Sequence, residues 1–314
     1  MVSLETKEST SLTFKRIGPD HFEDFQWLFQ ECFGVRIGID KIRNKYDTEE
    51  FGMSYIGYFA FDGDKPAAHY AVLPVPMTIK GKDVIAVQSA DTMTHSDYRG
   101  RGLFIKLAKM TYELAAKEGA KLVFGWPNKN SYPGFKNKLN WLELGLMKKY
   151  IFPVATLPLS EVFWKVKLLK SFYYQSILGA AKKRQGTFPS DIKVDVNGIP
   201  RSQSYLKYKA NLGSVCLDIG RYGKAWVGFD TRMKVGDLSC EKKDLLQTIK
   251  HLKRLAGRWG FRQVVFIVSP GSAWDKQLSE YFKAVDDLPL MYYPFDKDYV
   301  LESLNLTGGD YDTF

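Results

Sequence analysis

The stretch Thr94-His95-Ser96-Asp97-Tyr98-Arg99-Gly100-Arg101-Gly102-Leu103-Phe104 decides how the rest of the chain is read. A β-prone run from Asp83 to about Thr94 leads into it. An amphipathic helix, Leu103 to Glu118, leaves it, with Phe104, Leu107, Ala108, Leu114 and Ala115 on one face and Lys106, Lys109, Glu113 and Lys117 on the other. Gly100 and Gly102 have no Cβ, so the backbone there can take positive φ and approach a bound group closely. The first amides of a helix have no partner within it and carry a partial positive charge. Such a loop is a receptor for an anion, a diphosphate above all, and Arg99 and Arg101 add charged donors. On the glycines alone, a tight strand-to-helix turn with two solvated arginines explains the segment equally well.

Working outward, Leu12–Ile17 alternates as a strand, Asp20 starts a helix with Phe22, Phe25, Leu28, Phe29 and Phe33 in one stripe, and Lys41–Tyr46 is a short helix. Ser54–Phe61 and Ala67–Leu73 read as a hairpin about Asp62-Gly63-Asp64, and Pro74 and Pro76 predict a bend or bulge. Downstream come a short strand Lys121–Trp126, a loop and short helix Asn128–Asn140, and a strand Trp141–Phe152. Pro153–Pro158 reads as a domain exit, followed by a basic, aromatic helical stretch Ser160–Lys183 and a loop Gly186–Pro200. The remainder repeats the earlier order. Strands are expected at Val215–Ile219, Lys224–Asp230 and Lys234–Leu238, a helix at Lys242–Arg258, a strand at Gln263–Val268, a helix near Ala273–Phe282 and a strand at Pro289–Tyr293. The fold class is α/β (α+β), a mixed, mostly antiparallel sheet flanked by helices, in two related lobes. The expected division is 1–155, a helical linker 156–200, a second lobe 201–300 and a tail 301–314 that frays past Leu306. At the second strand-to-helix junction, Gly236-Asp237-Leu238-Ser239-Cys240, the glycine-basic chemistry is missing, so only the first lobe is expected to hold phosphates.

Composition narrows the classes. The chain has 314 residues, 45% hydrophobic and 25% charged, with 21 Phe, 18 Tyr and 7 Trp, enough to fill a large core and line a cleft. No run of 18 apolar residues suggests a membrane-spanning helix, and Met1–Leu12 is polar, unlike a secretion signal. Cys32, Cys216 and Cys240 are too few and scattered for a disulfide framework or a zinc cage, so no metal is expected and a reducing cytoplasm is the simplest home. A balance of 45 Lys plus Arg against 35 Asp plus Glu, +10, favours an anionic partner without choosing which. No feature marks a specific nucleic-acid partner. The Phe163, Trp164, Leu168, Phe172 and Tyr173 stripe, with its lysines, could meet a membrane surface, but packing between the lobes is the expectation. A Walker loop is excluded because no Gly-Lys-Ser/Thr follows the glycines, and a dinucleotide fold is disfavoured because the loop follows hairpins rather than opening a βαβ unit.

In this context, Thr94 to Leu103 resembles the acetyl-CoA-binding motif of the GCN5-related N-acetyltransferase (GNAT) superfamily, Arg/Gln-x-x-Gly-x-Gly/Ala. Arg99 and Gly102 match its first two fixed positions, while Phe104 stands where the family has Gly or Ala. Asn128, Asn130-Ser131-Tyr132-Pro133-Gly134-Phe135 and Leu139-Asn140-Trp141 look like the second family motif, and the resemblance covers about Leu12 to Phe152. It implies a two-lobe transferase with a degenerate second lobe, using acetyl-CoA as co-substrate. Thr92, Met93, Thr94, Arg99, Gly100, Arg101, Gly102, Leu103, Phe104, Asn128 and Asn130 would then meet the cofactor. It also implies direct attack of an amine on the thioester, which needs a deprotonated amine and fixed donors for the oxyanion. Asp91 and His95 are the candidate bases, on one strand face with Met93. Tyr132 is the candidate acid, one turn before Lys136, which occupies the family's usual Tyr position. The expected acceptor is a small-molecule primary amine such as an amino sugar. The rival readings are an aminoacyl or longer acyl transferase of a related tandem fold and a non-catalytic acyl-CoA sensor.

Overall fold

The structure is a computed structural model and describes residues 11–189 and 197–314; the side chains of Lys167 and Leu168 are outside the description. The first ten residues of the polar start and part of the Gly186–Pro200 loop thus lie outside it. In the first half, β1 (Thr13–Arg16) is followed by α1 (Phe22–Phe33) and α2 (Ile39–Tyr46), then β2 (Ile56–Asp62), β3 (Lys65–Ile79) and β4 (Lys82–Thr94). Next come α3 (Leu103–Lys117), β5 (Leu122–Gly125), α4 (Tyr132–Lys138) and β6 (Leu142–Pro153). Three helices, α5 (Leu159–Lys165), α6 (Lys167–Lys182) and α7 (Gln203–Asn211), lead to β7 (Val215–Asp218), β8 (Lys224–Phe229) and β9 (Met233–Ser239). The chain then forms α8 (Leu245–Arg258), β10 (Gln263–Val268), α9 (Ala273–Ser279) and β11 (Val285–Pro294).

Among the described residues these strands form one continuous sheet in the order β1-β2-β3-β4-β5-β11-β6-β10-β9-β8-β7. Its two halves mirror each other in connectivity. Each contains a run of antiparallel neighbours, then a parallel pair, β4 with β5 and β9 with β10. Each half lends its last strand to the other. β11 lies antiparallel against β5, and β6 lies antiparallel against β10, while β6 and β11 pair with each other at the centre. The two halves therefore cannot be separated without breaking strand pairs.

The prolines expected to bend the chain do not. β3 runs straight through Pro74 and Pro76, which face Val87 and Ile85 of β4 in regular register. Pairing with β2 ends at Val72, so the missing proline N–H groups point to a side where β2 no longer needs them. The irregularity falls upstream. His69 pairs with Met93 and Ala71 with Ala90, so Tyr70 faces both Asp91 and Thr92, and Asp91 takes a φ of 45°.

The tail also departs from the expected fraying. Leu304, Leu306 and Phe314 are buried, as is Asp310, and Arg201 donates to both carboxylate oxygens of Asp310 and to Asp237. Residues 306–310 enter the second half where β9 and β10 diverge. The Ser269 amide donates to the Leu306 carbonyl at 2.9 Å, Thr307 bridges to Val268, Gly308 lies against Ile267, and Gly309 packs on Gly236 so closely that a Cβ there would come within 2.6 Å of its Cα. An apolar anchor and a buried ion pair order this segment despite its polar, glycine-bearing composition.

The aromatic stripe after Pro158 divides. Tyr173 and Ile177 join the core of the second half, with Phe163 packed against it, rather than filling a seam between lobes; Phe172 remains 75% exposed. Among the described residues no helix is long and apolar enough to cross a membrane.

Candidate active site

The parallel pairing of β4 and β5 extends only over Val87–Val123 and Gln88–Phe124. Beyond it β5 ends at Gly125, whereas β4 continues to Thr94, so the strands part and leave a wedge. A cleft of about 720 Å³ occupies this wedge, lined by Ser89 to Thr94 on one side and Gly125 to Asn128 on the other. Its floor is braced by a chain of buried hydrogen bonds. Trp141 Nε1 donates to Tyr112 Oη at 3.1 Å, which lies 3.0 Å from Tyr70 Oη, itself 2.8 Å from Ser89 Oγ. Groups from β3, β4 and α3 are thereby held in one geometry before any ligand arrives.

At the mouth, Gly100 and Gly102 have φ of 76° and 73°, and a Cβ at either would meet open space. The conformation, rather than crowding, requires glycine. Gly102 caps α3 with no side-chain partner, and the Lys106 amide is the first to return to the Gly102 carbonyl. The amides of Leu103 to Ile105 thus lie in the turn whose donors have no helical acceptor. Arg99 lines the cleft and donates from Nε to the Thr94 carbonyl at 3.3 Å. Arg101 turns away, donating to the Asp97 carbonyl and lying over the Tyr98 ring. The bulky Phe104 is accommodated by α4. Its ring covers Gly134, where a Cβ would come within 2.5 Å, and meets Phe135 edge-on at 5.0 Å. Phe104 still contributes to the cleft wall.

Of the expected cofactor-binding residues, Thr92, Met93, Thr94, Arg99, Phe104, Asn128 and Asn130 line this single cavity. Gly100, Arg101, Gly102 and Leu103 form the adjoining turn outside its lining. Asn128 also shapes the entry to α4, because its Oδ1 accepts from the amides of Asn130 and Ser131.

The expected catalytic groups are not brought together. Asp91, Met93 and His95 share the face covered by α1 and α2, and each is engaged there. His95 stacks on Trp27 at 5.5 Å, accepts from the Asp97 amide at Nδ1, and is absent from the cleft lining. Tyr132 also lies outside that lining. Its hydroxyl donates to Glu143 at 2.6 Å, and this carboxylate raises the phenol's pKa. Asp91 does line the cleft, but Lys45 Nζ lies 2.7 Å from its carboxylate and Tyr46 Oη donates to it at 2.8 Å. Burial would raise the Asp91 pKa, and the Lys45 ammonium outweighs this and holds it below 3.8. Its backbone is pinned too, because His69 Nδ1 donates to the Asp91 carbonyl at 2.9 Å. Burial pushes the His69 pKa down to about 4, so that ring stays neutral.

The sequence reading missed the other wall. Asp312 and Thr313 reach the same cleft from the far end of the chain, and Lys45 Nζ bridges Asp312 at 2.9 Å to Asp91. Asp312 is the more open of the two carboxylates, its side chain 21% exposed against 11%. No local motif announces it; Asp310 to Thr313 read as a polar tail until the fold places them. Trp126, Ser89 and Trp141 were also not read as cleft residues, although Trp126 ends the expected Lys121–Trp126 strand and Trp141 closes the second motif.

Residues 13–143 match the family model described as an acetyltransferase (GNAT) domain. No curated protein matches the chain. Among solved structures it is similar to a GCN5-related N-acetyltransferase from Kribbella flavida, at 15% identity and TM-score 0.59, over 93% of this chain and 73% of that one. It is also similar to a GCN5-related N-acetyltransferase from Anabaena variabilis, at 14% identity and TM-score 0.54, over 90% and 72%. At such identities the structural likeness carries the fold, and the domain match carries the class. The chain is thus an acyltransferase that bears a GNAT acetyltransferase domain over residues 13–143.

Proposed function

We propose that the protein is an acetyl-CoA-dependent N-acetyltransferase acting on a small-molecule primary amine. The observation that supports this best is the continuity of the wedge with the Arg99–Leu103 turn, which puts a donor-rich anion receptor at the mouth of a cleft of about 720 Å³. The cavity has room for a pantetheine arm, and the open space at Gly100 and Gly102 fits a diphosphate drawn close to the backbone. In this reading the Gly100–Leu103 backbone and Arg99 hold the diphosphate, while Arg101, turned onto Tyr98 and the Asp97 carbonyl, braces the turn. The β4 backbone at Thr92–Thr94 meets the pantetheine and the thioester carbonyl, and Asn128 and Asn130 face its amides. Acetyl-CoA supplies the acetyl group as a thioester; the amine lone pair forms the new C–N bond, the C–S bond breaks, and one proton passes from nitrogen to sulfur. Asp312 is the group assigned to receive that proton, because it faces the cleft and is the less enclosed of the two carboxylates. Asp91 is a positioning residue that, through Lys45, keeps Asp312 in place. The free cysteines Cys32, Cys216 and Cys240 fit a cytoplasmic setting.

Titration calorimetry with acetyl-CoA is the direct test, and one molecule bound per chain is expected. The double variant Arg99→Ala/Gly102→Val should lose binding at least a hundredfold while its far-UV dichroism stays unchanged. Affinity within twofold of the parent in that variant refutes the assignment of the turn.

A further inference from the structure

Across the tail from the cleft lies a second, smaller cavity of about 220 Å³, and Thr313 lines both. Its walls come from β6, β9, β10 and β11 and from the 308–313 segment. The lining is rich in charge. Lys149 pairs with Asp287 at 2.7 Å, Arg232 with Asp230 at 3.0 Å, and Lys234 reaches Asp230 at 4.0 Å and the Thr313 carbonyl at 3.1 Å. The Lys149 and Asp287 side chains are about four-fifths buried. Pairing makes such burial tolerable, but it does not require the pairs to border a hollow. Two further atoms are left without a partner among the described residues: Tyr311 Oη, on a residue that lines this cavity, and Trp126 Nε1, on a residue that lines the cleft. The two rings are in contact, with centroids 4.1 Å apart, so the two linings adjoin there as well as at Thr313. A buried hydroxyl or indole N–H without a partner is costly and is ordinarily satisfied by water or ligand.

We propose that this cavity is the acceptor subsite and that it takes a single amino sugar ring, whose amine is presented past Thr313 to the thioester. The proposal rests on the acetyl-CoA reading of the larger cleft. Size argues for one ring. At roughly 30 Å³ per water in the liquid, the space holds about seven waters, too few for a folded peptide or a nucleotide chain. Chemistry argues for hydroxyls. Donors (Lys149, Lys234, Tyr311) and acceptors (Asp230, Asp287) are interspersed around the wall. A sugar hydroxyl both donates and accepts, so it can join either member of these ion pairs and also meet the unpartnered Tyr311 hydroxyl, whereas the chain of an alkyl amine offers neither. Position argues for the acceptor: the residue that both linings share is Thr313, beside Asp312, the group assigned to take the proton.

The test uses the full chain, acetyl-CoA, and a panel of the 2-, 3- and 4-amino-deoxyhexoses with cadaverine and a lysine-bearing peptide as comparison amines, read by release of the CoA thiol. Turnover with at least one aminohexose, at a kcat/KM ten times that of cadaverine or more, is expected. Tyr311→Phe removes an oxygen that has no partner among the described residues, so its Tm should stay within a degree or rise, while KM for that sugar increases roughly five- to tenfold. The paired change Lys149→Met/Asp287→Leu should raise the same KM tenfold or more and leave the acetyl-CoA Kd within twofold. A wild-type chain that does not bind acetyl-CoA overturns the cofactor reading and this proposal together. Acetyl-CoA binding with preference for cadaverine or the peptide, with no aminohexose turned over, or with a KM unmoved in both variants, overturns the subsite alone.

Discussion

The ammonium of Lys45 sits between two carboxylates that come from opposite ends of the chain, Asp91 on the bulged strand and Asp312 in the final segment. Burial alone would lower the Lys45 pKa, but Asp312 and Asp91 outweigh it and hold the pKa above its ordinary 10.5. The matching effect on Asp91 holds that pKa below 3.8. The carboxylate therefore contributes stability at pH above 3.8 and loses it as the pH falls through its lower folded value; the ammonium contributes below 10.5 and loses it as the pH rises beyond. Lys45→Met leaves two buried carboxylates facing one another, and a cost of about 3–5 kcal/mol is expected from urea unfolding at pH 7. The sign of the Asp91 contribution should also reverse. The parent itself loses stability from pH 7 to pH 5, because its neutral His69, held at about 4 against an ordinary 6.5, does not take up the proton that the unfolded chain does. Without the cation, burial and Asp312 push the Asp91 carboxyl up, so the deficit of the variant relative to the parent should shrink as the pH falls over that range. A variant as stable as the parent, or one whose deficit stays constant over that range, counts against the cluster as described.

At the scale of elements, α3 and α4 act as a pair. The Leu103–Lys117 helix begins at a glycine in the left-handed region and places Phe104 in its first turn, and α4 receives that ring over Gly134. The bulk at position 104 is thus absorbed by the neighbouring helix, and the turn before it keeps its shape. Gly134→Leu should drive the Phe104 ring toward the cleft it lines. Weaker acetyl-CoA binding, by about tenfold in calorimetry, is expected at a modest stability cost of about 1–3 kcal/mol. The companion variant Gly134→Leu/Phe104→Ala should recover most of the affinity, since the displaced ring is gone. No recovery would mean that α4 acts on the cleft by another route.

For the whole molecule, the exchange of β6 and β11 ties both halves into one sheet, and the tail locks the second half from above. Residues 306–310 fill the opening between β9 and β10 that the first half keeps free between β4 and β5. That filling accounts for a second lobe without a matching cleft. Arg201 is the buried cation that holds the tail through Asp310. Arg201→Met should lower stability by about 3–5 kcal/mol. Because strand pairs cross between the halves, tryptophan fluorescence and far-UV dichroism should still report one coincident unfolding transition. Two separated transitions in the parent protein would contradict the interleaved sheet.

What could be read from the sequence is what depends on near neighbours. The periodicity of Leu103–Lys117, the hairpin at Asp62-Gly63-Asp64 and the glycine turn at Gly100 and Gly102 each follow from side chains or φ preferences within a few residues, and they lie close to where the pattern put them. The α/β class and the glycine turn before α3 were legible for that reason. The regular course of β3 through Pro74 and Pro76 was not, because it depends on where β2 stops. Only the tertiary structure decided that β11 enters beside β5, that His95 and Tyr132 are occupied elsewhere, and that Asp312 closes the cleft. Hydrogen-bonding edges and buried charges choose partners by distance in space, and sequence separation leaves no trace of that choice.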